Sequence, residues 1–257
     1  MTQAQRRRYL IDALLAERRG YPPIAVPEDE NDRRELLRAL MNVRPAAPAD
    51  EAFLAVQDAY LRQAIAENGI TDFAALTPIR DDLYLWRGDI TTLRCDAIVN
   101  AANAGLTGCY RPGHRCVDNC IHTFAGIQLR QFCAGLMEAQ GHEEPTGGAK
   151  ITPAFNLPCR YVIHTVGPIV GGPLTDRHRA QLRSCYDACL RLADENGCAC
   201  VAFCCISTGV FGFPQKEAAA IAVDTVSAYK TRTGSPIKVI FNVFLEEDEA
   251  LYRALLA

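Results

Sequence analysis

The sequence predicts an α/β domain with a mixed, largely parallel central sheet, preceded by an all-helical N-terminal extension. Residues 1–80 carry apolar positions at helical spacing, broken only by the Pro-rich stretches "YPPIAVPED" and "RPAAPAD". After Pro78 the rhythm changes, and short apolar runs alternate with helical segments, as in a sheet covered by helices. The run "CACVAFCCIS" is apolar throughout and of strand length, which marks a buried strand.

In the extension, "RRRYLIDALLAE" and "ENDRRELLRALMNVR" read as helices, the second capped by Asn31 or Asp32. A third helix runs from about Pro48 to Glu67, where "NG" stops it. The remainder, residues 81–257, forms the second unit. There "LYLWRGDI" reads as a strand and turn, and "CDAIVNAAN" as a strand ending on small residues. "VDNCIHTFAGIQLRQFCAGLMEA" has the length and spacing of one helix. "AKITPAF" and "RYVIHTVG" are short strands, and "DRHRAQLRSCYDACLRLADENG" is a helix ending at Gly197. After the buried strand comes a helix with Pro214 at its start, then the strand "IKVIFNVFL" and a closing helix "EEDEALYRALLA".

Composition excludes several classes. The chain has 257 residues, 49% hydrophobic and 22% charged, an ordinary globular balance. A net charge of −3 gives no reason to expect nucleic acid or an anionic membrane as a partner. No apolar run approaches the roughly 20 residues that span a bilayer. The basic N-terminus lacks the apolar core and cleavage site of a secretory signal. The expectation is a cytoplasmic protein. A mitochondrial transit segment is the alternative, argued by Arg6, Arg7 and Arg8 and opposed by Asp12 and Glu17. Twelve cysteines in a chain this long, with no export signal, are expected as reduced thiols. Cys185, Cys189, Cys200, Cys204 and Cys205 read as small core hydrophobes.

In a parallel sheet, ligands sit beyond the C-terminal ends of the strands. Four segments fall there: "RGDIT", "NAAN", the run "GCYRPGHRC", and "STGVFGFP". The last offers two glycines ahead of a helix, so its N–H groups suit a phosphate or diphosphate. The plain alternative is a tight connection. "GCYRPGHRC" places Cys109, His114 and Cys116 around a Pro-Gly turn. Three such ligands with a fourth position open is the pattern of a catalytic zinc. A Cys109–Cys116 disulfide and a chance grouping are the alternatives. Cys120 is the nearest further thiol, but it falls inside the following helix. Asp118 lies at the start of that helix, where a carboxylate also serves as a plain cap. Asn100 and Asn103 suit hydroxyl binding or turn chemistry equally.

Together "RGDIT", "DAIVNAAN", "VDNCIHTFAG", "ITPAFNLPCRYVIHTVGP" and "STGVFGFP" follow one another as in macrodomains, which the chain resembles over about residues 83–257. The resemblance implies a three-layer fold that binds ADP-ribose. Where hydrolytic macrodomains usually carry a glycine run before "VDxxIH", this chain reads GCYRPGHRC. That departure resembles the zinc-containing branch, which also has a helical N-terminal extension and removes mono-ADP-ribose from proteins. The resemblance implies Zn2+ on Cys109, His114 and Cys116. It implies Asp89 and Ile90 at the adenine, Asn103 at the distal ribose, and Asp118 at the ribose as a catalytic residue. Ser207, Thr208, Gly209, Val210, Phe211 and Gly212 would wrap the diphosphate. Phe213 would flank the distal ribose and Phe244 would stack on adenine. The implied substrate is a mono-ADP-ribosylated protein modified on an acidic residue, with a lipoyl-carrier protein suggested by some members of the branch. Two rival functions stay open: a reader module that binds without cleaving, and a hydrolase of small ADP-ribose derivatives. Zinc that acidifies a water and zinc that clamps the sugar are not separated by the sequence.

Overall fold

The computed structural model describes residues 1–18 and 20–257. Helices α1 (Gln3–Glu17), α2 (Glu30–Val43) and α3 (Glu51–Glu67) form the extension. Thr2 caps α1 through a capping box with Gln5. The cap of α2 is Asp29, two residues ahead of the expected start, and its carboxylate accepts the N–H groups of Asn31 and Asp32. The apolar stripes of these helices meet in a small core of their own, with Leu10, Ile11, Leu37, Leu40, Phe53 and Leu61 buried. Ile127, from beyond the extension, seals that core, while Ile65 of α3 joins the main one. In the stretch after α3 the only helical piece before the main sheet, among the described residues, is a 3-10 turn over Phe73–Ala75, capped by Asp72. Strand β1 (Thr71–Asp72) pairs in parallel with β3 (Leu93–Arg94), tying this stretch to the second unit.

The main sheet contains β2 (Leu83–Arg87), β4 (Ala97–Ala102), β5 (Ala149–Pro153), β6 (Tyr161–Val166), β7 (Cys200–Phe203) and β8 (Lys238–Val243). Their order is β2-β8-β7-β4-β6-β5, all parallel except the edge pair β5–β6. The central strands β4 and β7 are buried almost throughout, because helices cover both faces. Helices α6 (Asp176–Glu195), α7 (Gln215–Thr233) and α8 (Glu246–Leu256) form one layer. Helices α4 (Val117–Ala125) and α5 (Ile127–Gln140) form the other, and the extension lies outside them.

One expected helix is therefore two. Gly126 stands between α4 and α5 with φ +98°, a conformation that a side chain would strain and that ends a helix. Helical periodicity continues through the break, which is why spacing alone does not reveal it. No helix among the described residues is long and apolar enough to cross a membrane.

Candidate functional site

Strands β2, β8, β7 and β4 are adjacent and parallel, so their C-terminal ends open on one edge of the sheet. All four expected segments gather there. After β2, Asp89 accepts hydrogen bonds from the Thr91 N–H at 2.9 Å and the Thr91 hydroxyl at 2.7 Å, capping a 3-10 turn over Ile90–Thr92. The Ile90 side chain is 4% exposed and packs in the core, which leaves only its backbone to offer. Beyond β8, Phe244 is 73% exposed.

The loop after β7 winds back on itself. Phe213 N–H donates to the Ser207 carbonyl at 3.0 Å, and Gly212 N–H to the Gly209 carbonyl at 3.0 Å. Gly212 has φ +68°, and a Cβ there would meet the Val170 carbonyl at 3.0 Å. Among the described residues, nothing accepts from the N–H groups of Gly209, Val210 and Phe211. Three consecutive free donors at a strand end form a concavity suited to an anion. Phe213 is a correction to the expected set. Its ring is buried in the main core and has no surface to offer a sugar, whereas Phe211 is half-buried. The segment after β6 was missed by sequence reasoning. There Gly167 packs on Ser207, and Val170 N–H donates to the Phe211 carbonyl at 2.8 Å. Its signal was the glycine-rich "VGPIVGGP" at another strand end.

Asp118, in the first turn of α4, is 5% exposed. Its Oδ1 accepts from Asn100 Nδ2 at 2.8 Å, and Asn103 Nδ2 stands 3.5 Å from its Oδ2. Burial pushes its carboxyl up to about 6, against the Asn100 hydrogen bond and the Arg130 charge, which pull it down. Asn100 is wholly buried and its amide also meets His164 Nδ1 at 3.1 Å. Asn103 closes its own turn: Nδ2 donates to the Gly108 carbonyl and Oδ1 accepts from Gly105 N–H. The turn chemistry expected of Asn103 is thus present, and Oδ1 keeps a second lone pair. His122 Nε2 lies 3.6 Å from Asp118 Oδ1, but this is no ion pair. Burial, with His164 and Arg130 nearby, holds His122 well below the usual imidazole range, so the ring is neutral.

The Cys/His run lies directly before α4. Cys109 Sγ is 3.4 Å from His114 Nδ1, and the donor atoms of Cys109, His114 and Cys116 all lie within 4.8 Å of one another. Around a tetrahedral zinc, two sulfurs and an imidazole nitrogen stand about 3.5–3.8 Å apart, given bonds of about 2.3 and 2.0–2.1 Å. The set fits that ion with little movement. Both cysteines are free thiols, and Cys120 is outside the convergent group. Cys116 is also the N-cap of α4, its sulfur accepting from Asn119 N–H at 3.4 Å. Burial, with the neighbouring Cys109 adding to it, pushes the Cys116 thiol up to about 12. Sequence reasoning missed Asn119, which folds this loop: its Nδ2 donates to the carbonyls of Cys109 and Arg111, both at 3.2 Å.

This fold and this edge define a macrodomain. The family model for the Macro domain matches residues 99–222, and the chain belongs to that family. A Treponema medium protein described as a protein-ADP-ribose hydrolase is 58% identical over 261 residues, covering 100% of both chains. A Staphylococcus aureus (strain MSSA476) protein of the same description is 49% identical over 95% of this chain and 92% of its own. Among solved structures, the Oceanobacillus iheyensis macrodomain with ADP superposes with a TM-score of 0.63 at 37% identity, covering 70% of this chain and 93% of that one. The Trypanosoma brucei macrodomain in complex with ADP-ribose gives 0.67 at 29% identity, over 85% and 95%.

Proposed function

We propose that this chain is a zinc-dependent hydrolase that removes mono-ADP-ribose from a modified protein side chain, with an acidic residue as the modified one. One observation carries the reading. The convergent Cys109, His114 and Cys116 donors end two residues before the buried Asp118, on the edge that holds the free N–H groups of Gly209, Val210 and Phe211. A reader module needs the anion cradle but neither of the other two. The relatives described as protein-ADP-ribose hydrolases support the hydrolytic reading.

In this reading Asp89 and the Ile90 backbone hold adenine, Phe244 stacks on it, and the 207–212 loop wraps the diphosphate. The distal ribose then lies over Asn103 and Asp118. Water attacks the anomeric carbon, its bond to the acceptor carboxylate breaks, and the carboxylate leaves as an anion. The proton released by water passes to Asp118, which is ionised above about pH 6 and within reach of exchange at the edge. Asn100 and Asn103 fix the carboxylate that receives it. Cys109, His114 and Cys116 would hold the zinc, which when bound would supply Lewis-acid chemistry to the site.

The resemblance of the Cys/His loop to the zinc-containing branch supports a lipoyl-carrier protein as the first substrate to try. Twelve free thiols support the cytoplasm as the compartment. The test is incubation with a protein mono-ADP-ribosylated on a carboxylate, read by mass spectrometry. Stoichiometric release of ADP-ribose is expected. Binding of the modified protein with no release would identify a reader instead.

A further inference from the structure

The back of the Cys/His loop is not open to solvent alone; helix α2 of the extension lies against it. Asn42, at 1% exposure, accepts from the Gly113 N–H at 3.1 Å, holding the turn between Cys109 and His114. The same amide donates to Thr123 Oγ1 at 2.9 Å, and that hydroxyl donates to the Asn119 carbonyl at 2.7 Å. One turn earlier on α2, Arg38 Nη2 lies 3.1 Å from the His114 carbonyl, 2.9 Å from Asn119 Oδ1 and 3.4 Å from Cys120 Sγ. These contacts fix two amides in one orientation each. Reversing Asn119 would set its NH2 against the Arg38 guanidinium, and reversing Asn42 would set its NH2 against the Gly113 N–H. Asn119 in turn ties down Cys109 and Arg111, and its own N–H meets Cys116 Sγ.

We propose that α2 is a working part of the metal site: Arg38 and Asn42 are positioning residues that hold the Cys109–Cys116 loop with its three donors convergent. The inference rests on the metal reading above and goes beyond it, because it assigns the extension a role in metal retention. A nine-residue loop with Pro112 and Gly113 at its tip has many conformations to lose. Groups that orient ligands from outside typically change metal affinity by about 10–100-fold. The Arg115–Glu35 pair, also between loop and α2, is exposed at both ends and contributes little.

The experiment uses the full chain loaded with zinc, with release followed into excess chromophoric chelator. Arg38→Met and Asn42→Ala should release zinc about tenfold or more faster than the native chain. Their circular dichroism and their affinity for free ADP-ribose should match the native chain, and Glu35→Ala should release at the native rate. Arg38→Lys, which keeps the charge and can donate to the same oxygens, should recover part of the retention. Native release rates in both Arg38→Met and Asn42→Ala would overturn the inference while leaving the metal reading intact. A native chain that binds no stoichiometric zinc would overturn both. Should Asn42→Ala fail to fold, Arg38→Met decides alone, supported or opposed by amide exchange at Gly113 in the metal-free chain, which should be faster in the variant.

Discussion

Asp118 and His164 show what burial does to single residues at this edge. Asp118 sits where a carboxylate is costly to ionise, so its carboxyl is raised while Asn100 holds it in place. Asp118→Asn keeps the size and removes the proton acceptor. It should lower turnover at least about a hundredfold, as loss of a general base does, with ADP-ribose affinity changed only a few-fold. Single-turnover kinetics and titration calorimetry separate the two, and equal losses would make Asp118 a ligand contact only. His164 is fully buried, which lowers it from 6.5 to about 3. Between those values the unfolded chain takes up a proton that the folded chain refuses, so stability is full above about pH 6.5 and falls as pH drops toward 3. Urea midpoints should therefore decline steadily from pH 7 to pH 4.5, and less steeply in His164→Gln. Because Asp118, raised to about 6, works in the opposite direction over part of this range, the comparison decides: a His164→Gln profile as steep as the native one would remove His164 from that role.

At the level of elements, the strand-end loops hold the candidate site residues and α4 connects them. The first helical turn of α4 brings the Cys116 cap, Asp118 and Asn119 together. Periodicity and turn residues made most strands and helices legible, and the grouping of Cys109, His114 and Cys116 was legible from residue type and spacing. The pairing of β1 with β3 was not, because two-residue strands have no pattern. Phe213 misled for a related reason: an aromatic residue in a loop looks available, and only the packed structure turns it into the core. Asn119, Arg38 and Asn42 were invisible because their partners are side-chain and backbone groups up to 81 residues away. The two glycines of the 207–212 loop separate by mechanism. Gly212→Val should strain the fold itself, given φ +68° and the Val170 carbonyl. At Gly209 a Cβ meets nothing within 4 Å, so Gly209→Val should melt like the native chain yet lose ADP-ribose binding at least tenfold, because a phosphate must approach there. Native affinity in Gly209→Val would remove the diphosphate from this cradle.

For the whole molecule, the extension and the α4/α5 layer share buried polar anchors. Arg130 of α5 is 5% exposed and donates to the carbonyls of Thr107, Met41, Asn42 and Arg44, closing the end of α2. Gln57 of α3 accepts from the Ile127 N–H at 3.0 Å, at the start of α5. A chain lacking residues 1–69 would leave the Arg130 charge with only the Thr107 carbonyl of these four acceptors and expose Ile127 and Ile65's partners in the main core. It should aggregate or unfold at room temperature. A truncated chain that stays monomeric and melts like the full one would show the two units to be independent.

Metal-dependent turnover is the claim on which the account turns, and chelator-treated and untreated full-length protein test it on one mono-ADP-ribosylated carboxylate substrate. Stripping zinc should abolish release of ADP-ribose while affinity for free ADP-ribose stays near its native value, and adding zinc back should restore turnover. Release at the native rate from protein shown by elemental analysis to carry no metal would contradict it.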